Sequence, residues 1–153
     1  MNTDNNEPTT LTASDESGTL SNRDVLRRVF EELWQARDMS AIERWHSADY
    51  ANHTIPPEMG VPTDLNGMVV VLNMFFAAFS QTRLVAKEQV SEGDLISTHC
   101  MFYGRHTGEF RGVPASDREV EMRVIRIDRI RDGKICDHWS APDFQGLMRQ
   151  ISG

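Results

Sequence analysis

The sequence predicts an α+β fold: three helices first, then a curved antiparallel sheet, then a short closing helix. Three observations carry that expectation. Apolar residues recur at helical spacing in the first half and alternate in the second. Gly93-Asp94 and Asp132-Gly133 mark tight turns between β-branched runs. The strands follow one another without intervening helices, which segregates the helices onto one face of one sheet. A strongly curved sheet closed by helices makes a cone, a conical α+β barrel with one apolar interior pocket.

Each element has its own signal. Ser21-Asn-Arg-Asp24 reads as a capping signal, with Asp where Glu or Gln is usual. Val25, Leu26, Val29, Phe30, Leu33 and Trp34 then form one apolar stripe. Ser40-Ala-Ile-Glu43 has the form of a full capping box and predicts a second short helix running toward Trp45 and His46. Asp49–Pro57 reads as irregular. Thr63 is the predicted cap of a third helix over about Asp64 to Phe79. Strands are predicted at Leu84–Glu92, Leu95–Tyr103, Arg118–Ile130 and Ile135–Ala141, with a long connection at Gly108, Gly112 and Pro114. Pro142 ends the last strand and Asp143 caps the terminal helix.

A length of 153 residues suits one domain. Residues 1–20 hold four acids and no Lys or Arg, so they read as a disordered acidic tail, and 21–153 as the folded domain. The net charge of −7 argues against a nucleic-acid partner. The longest apolar run, Met68–Phe79, is too short to span a bilayer and no export signal is visible, so no membrane partner and a cytoplasmic location are expected. Two cysteines make no disulfide framework, and Cys100 reads as a small core residue. No Gly-rich phosphate loop, CxxC, HExxH or GxSxG occurs, and the five histidines are scattered, so no metal site and no bound cofactor are expected. Phe30, Leu33, Trp34, Met68, Met74, Phe75, Phe79, Met101 and Tyr103 form an aromatic and methionine population. Plain core is the default reading for most of them, but they also suit an adaptable lining for a flat aromatic guest.

Three segments carry a family resemblance: Phe102-Tyr-Gly-Arg-His-Thr-Gly-Glu-Phe-Arg-Gly-Val-Pro-Ala-Ser-Asp-Arg118; Arg129-Ile-Arg-Asp-Gly-Lys-Ile-Cys-Asp-His-Trp-Ser-Ala-Pro-Asp-Phe-Gln-Gly-Leu-Met-Arg149; and His46-Ser-Ala-Asp-Tyr-Ala-Asn-His-Thr54. The chain thereby resembles the SnoaL-like polyketide cyclases from about Ser21 to Gly153. The resemblance implies a nuclear-transport-factor-2-like cone and cofactor-free ring closure of anthracycline polyketides by intramolecular aldol condensation. In that family an Asp on the last strand acts as acid/base, helped by a His on the strand before. Aligned on the shared DGKI turn, that Asp falls at Ser140 and that His at Arg126. Neither hydroxyl nor guanidinium can take a proton from carbon near neutral pH.

The chain therefore looks more like the branch associated with anthracycline C-1 hydroxylation. The expected function is cofactor-free hydroxylation of a reduced anthraquinone by O2, with a separate NAD(P)H-dependent reductase as partner. The alternatives are a cyclase with a displaced base, His138 or Asp137, and a non-catalytic ligand-binding protein of the same fold. Strand parity puts Cys136, His138 and Ser140 on one face and Ile135, Asp137 and Trp139 on the other. The candidate catalytic residues are His138, Arg126, His53 and Asp137, with Asp128, Asp137 or an oxygen-rich substrate to compensate the charge of Arg126. The candidate substrate-binding residues are Phe30, Trp34, Phe75, Met101, Tyr103, His106 and Ser140. An apolar sheet face carrying Ile125, Ile127, Ile135 and Trp139 predicts a homodimer.

Overall fold

The computed structural model describes residues 20–153, so all but the last residue of the predicted tail lies outside the described residues. Helix α1 (Asn22–Val29) starts at Ser21, whose Oγ accepts from the Asp24 backbone N–H at 3.2 Å. The helix continues as a wider π-type segment, Phe30–Gln35, carrying Trp34. A short α2 (Ala41–Trp45) leads directly into strand β1 (His46–Asn52). Helix α3 (Leu65–Ala78) runs into β2 (Phe79–Glu92), followed by β3 (Leu95–His106), β4 (Glu119–Arg131), β5 (Lys134–Pro142) and α4 (Phe144–Ser152).

Sheet order is β1-β5-β4-β3-β2, antiparallel throughout except that β1 pairs with β5 in parallel. The inner face alternates cleanly: on β3, Ile96, Cys100 and Phe102 point into the core. Two apolar clusters fill the cone. One joins α1, α2 and β1 to the base of the sheet; the other joins α3 and α4 to its far end. No helix among the described residues is long and apolar enough to cross a membrane.

Four local expectations need correction. Asp49–Pro57 is not wholly irregular: residues up to Asn52 form β1, a parallel edge strand that an all-antiparallel reading leaves out. The capping box at Ser40 does not form; Ser40 has helical backbone angles, makes no side-chain cap, and its Oγ donates to Asp38 Oδ1 at 2.6 Å. Asp64, rather than Thr63, caps α3, because its carboxylate accepts from the Asn66 and Gly67 N–H groups at 3.0 and 3.2 Å. Ile135 is not on the outer sheet face but fully buried.

The last correction has a definite cause. From the Asp132-Gly133 turn, where both residues have positive φ, pairing begins as Arg131 with Lys134 and Ile130 with Ile135. It resumes as Arg129 with Asp137 and Asp128 with His138. Cys136 has no partner in the ladder and forms a bulge. The extra residue lets Ile135 face inward together with His138 and Ser140.

Candidate active site

A cavity of about 440 Å³ opens between the sheet and the helices. The π-type segment contributes Trp34, and α3 contributes Val71, Met74 and Phe75. Leu84, Phe102, Met122 and Val124 line it from the sheet, and Phe144 from the start of α4. These walls are apolar, and Trp34 meets Phe75 and Phe102 edge-on at 5.7 and 5.9 Å. Asn52 lines it from the end of β1, Thr54, Ile55, Pro56 and Met59 from the segment that follows, and Arg111 from the connection between β3 and β4.

Arg126 from β4 and His138 and Ser140 from β5 are the polar side chains that the central strands contribute. Arg126 and Asp128 are two apart on β4 and share its inner face. The Arg126 guanidinium donates Nε–H and an Nη2 hydrogen to the two Asp128 oxygens at 2.7 and 2.8 Å, a bidentate pair. Asp128 is fully buried and Arg126 only 8% exposed. The guanidinium also lies 5.3 Å from the Phe30 ring centroid. Across the ladder from Asp128, His138 Nδ1 lies 2.8 Å from Asp128 Oδ1.

The electrostatics fix the roles within this triad. Burial opposes a charge on Asp128, but Arg126 and then His138 outweigh it and hold the carboxyl below the usual carboxylate range. An ionised Asp128 can only accept, so the proton between it and His138 belongs to Nδ1. Burial, then the positive charge of Arg126, pushes the His138 imidazolium below its ordinary pKa, and Asp128 only partly offsets this. His138 is therefore neutral near pH 7, with the Nε2 lone pair left over; Nε2 has no partner among the described residues. A carboxylate-oriented imidazole with an unpartnered Nε2 has the chemistry that a general base needs.

Behind the triad sits a second histidine. His46 donates from Nδ1 to the Ile42 carbonyl at 2.9 Å and meets Tyr50 edge-on. Burial holds its pKa down at about 4. Beside the triad, the Ser140 N–H donates to Thr54 Oγ1 at 3.2 Å, and Thr54 in turn donates to Asn52 Oδ1 at 2.9 Å. The Ser140 hydroxyl, 3.4 Å from Thr54 Oγ1, keeps hydrogen-bonding capacity for a substrate oxygen.

The structure brings together Arg126, His138, Ser140, Trp34 and Phe75 around one cavity. It places the other candidates elsewhere. His53 and Asp137 lie on the outer face of β5: His53 Nε2 is 2.7 Å from Asp137 Oδ1, and its ring stacks on Trp139 at 4.6 Å. Asp137 also accepts from Arg129 at 3.1 Å. The bulge leaves Asp137 outside rather than turning it inward. Met101 and Tyr103 have outward parity on β3; Tyr103 lies under Arg83, 4.4 Å from its ring centroid. Phe30 is core, packed beneath Arg126. His106 is buried against Phe79, and its Nδ1 accepts from the Ser116 N–H at 3.1 Å, pinning the loop after β3. Among the described residues no three His, Cys, Asp or Glu side chains converge as metal ligands would.

Sequence reasoning named Asp128 only as a possible counter-charge and missed Asn52, Thr54, Met59, Arg111 and Phe144. The Arg-Ile-Asp alternation at 126–128 carried the signal for Asp128. The loop residues carried none.

A helix-closed conical sheet with one mostly apolar cavity and a carboxylate–imidazole pair in its wall defines the class: a small-molecule pocket protein of the α+β cone type. Residues 24–151 match the family described as SnoaL-like polyketide cyclase, and the chain belongs to that family. It is 32% identical over 111 residues to nogalonic acid methyl ester cyclase of Streptomyces nogalater, covering 72% of this chain and 82% of that one. It is 34% identical over 133 residues to aklanonic acid methyl ester cyclase DnrD of Streptomyces peucetius, covering 84% and 88%. Its fold superposes on IdmH of Streptomyces antibioticus with a TM-score of 0.75 at 28% identity, covering 86% of this chain and 98% of that one.

Proposed function

We propose that this protein is an enzyme of anthracycline polyketide biosynthesis that closes a carbocyclic ring by intramolecular aldol condensation, with His138 as the base. The carrying observation is the His138–Asp128 contact of 2.8 Å at the cavity wall. The names of the two cyclase relatives support the same reading. It moves the favoured function away from the hydroxylase expected from the sequence, because the missing carboxylate at Ser140 is answered by an oriented imidazole two residues away.

Nε2 of His138 removes a proton from the carbon alpha to a substrate carbonyl. The enolate carbon attacks a second carbonyl of the same molecule and forms the C–C bond. The resulting alkoxide takes a proton back, so atoms balance and no oxidant enters. The Arg126 Nη1 group, which Asp128 does not engage, offers N–H donors where the enolate oxygen develops its negative charge. The Ser140 hydroxyl donates to a substrate oxygen. The apolar walls hold a fused aromatic system and keep water from the carbanion.

The test is anaerobic incubation with an anthraquinone-type polyketide, offered both as its methyl ester and as its free acid. The expected product has the mass of the substrate, and His138→Ala loses about 10²–10⁴-fold in rate while still binding it. A product heavier by one oxygen atom, formed only with O2 and a separate reductase, overturns the proposal. That outcome favours hydroxylation, the second reading, for which the supporting observation is a cavity lining with a cation but no carboxylate among the described residues.

A further inference from the structure

The cavity lining contains two arginines. Arg126 is neutralised by its bidentate pairing with Asp128. Among the described residues Arg111 has no hydrogen bond or ion pair, and no Asp or Glu lines the cavity. Among the described residues the lining therefore presents one uncompensated positive charge, at the rim.

Arg111 is held there by local structure rather than by a salt bridge. Phe110 and Val113 pair across a two-residue turn, donating to each other's carbonyls at 3.0 Å each way. The turn residues Arg111 and Gly112 both have positive φ, 49° and 82°. Positive φ is natural for Gly112 but costs an arginine about 1 kcal/mol or more. Phe110, almost fully buried beside Phe75 and Phe79, anchors the turn. The guanidinium carbon lies over the ring of the cavity-lining Phe144, 4.1 Å from its centroid. This contact holds the guanidinium at the cavity and uses none of its N–H donors, which stay available for an oxyanion.

We infer that Arg111 is a specificity-determining residue that binds a carboxylate on the polyketide substrate, so that the protein prefers the free acid to the methyl ester. This rests on the cavity being the substrate site proposed above. It differs from what the relatives' names state, since both are named for methyl esters. The aromatic body of the ligand would lie between Trp34, Phe75 and Phe102, with its carboxylate at the rim beside Phe144.

The probes are anthraquinone-2-carboxylate and its methyl ester, two ligands of one shape that differ in charge. Equilibrium binding is measured by tryptophan fluorescence quenching. Wild-type protein is expected to bind the acid at least about tenfold more tightly than the ester, since a hydrogen bond to a charged group is worth that much or more. In Arg111→Ala the acid/ester ratio falls to about one. Arg111→Lys keeps part of the preference, because it retains charge without the planar fork. Arg28→Ala removes one exposed positive charge elsewhere and leaves the ratio at the wild-type value. An equal ratio in wild type and Arg111→Ala overturns the inference, and so does an equal loss in Arg28→Ala, which would mean long-range charge alone. Because binding is read without turnover, an acid preference that depends on Arg111 stands even where no ring closure occurs. Failure of catalysis and failure of this assignment are thus read separately.

Discussion

Replacing Asp128 by Asn tests the central triad, because it keeps size and removes only the charge. Two effects follow from the geometry. Arg126, 8% exposed, loses its counter-charge, and one N–H of the guanidinium now meets an amide NH2 instead of an oxygen. Breaking a buried pair from one side costs about 3–5 kcal/mol. For a domain of this size that lowers Tm by roughly 10–15 °C. His138 meanwhile loses the acceptor that holds the proton on Nδ1, and a wrong tautomer costs about 10³–10⁴-fold in rate. Differential scanning calorimetry and single-turnover kinetics read the two effects. The double variant Arg126→Met/Asp128→Leu separates them. Removing both charges together restores Tm to within a few degrees of wild type, since apolar replacement of a buried pair is often neutral, while activity stays low. An Asp128→Asn protein that melts with wild type and turns over at the wild-type rate would refute the reasoning.

Further outcomes are expected elsewhere in the molecule. His46 has a folded-state pKa of about 4, below its unfolded value, so between about pH 4 and 6.5 the unfolded chain binds a proton that the native one refuses. Stability therefore rises with pH across that window by up to about 3 kcal/mol, and His46→Phe flattens the slope in denaturant titrations at several pH values. A Cβ at Gly67 would lie 1.6 Å from the Pro62 carbonyl oxygen, so Gly67→Ala should lower stability by about 1–3 kcal/mol, read by urea unfolding. The outer row Val90, Ser97, Ile127 and Trp139 leaves Val90 70% and Ile127 39% exposed, with Ile125 in the next row 44% exposed. We propose that two chains pair across this face: sedimentation should give twice the chain mass, and Ile125→Glu/Ile127→Glu should halve it. A single-chain wild-type species overturns the pairing.

The fold was largely legible because its signals are local. Asp132-Gly133 is a turn by composition alone, Asp143 caps α4 as expected, and β3 and β4 announce themselves by alternation. What escaped depends on partners distant in sequence. Strand β1 has no alternation, since its order comes from backbone pairing with β5 across more than eighty residues. Serine at position 40 looks like a cap, but Asp38 two residues earlier competes for its hydroxyl. At the site, parity correctly grouped His138 with Ser140, yet it also set Ile135 outside, because a bulge leaves no mark in a run such as Lys-Ile-Cys-Asp-His. The rim residues Thr54 and Arg111 sit on loops whose placement no periodicity encodes.

Cys136 carries a consequence out of proportion to its chemistry. With uninterrupted pairing from the Asp132-Gly133 turn, Asp128 would stand opposite Asp137 and Arg126 opposite Trp139. The chamber would then hold two like charges and an indole, with His138 turned to solvent. One unpaired residue acts as a frame-shift in the cross-strand code, choosing which of two interleaved side-chain sets on β5 meets the ligand. A lineage could exchange one set for the other by gaining or losing a single codon near the turn, leaving every side chain in the motif itself untouched.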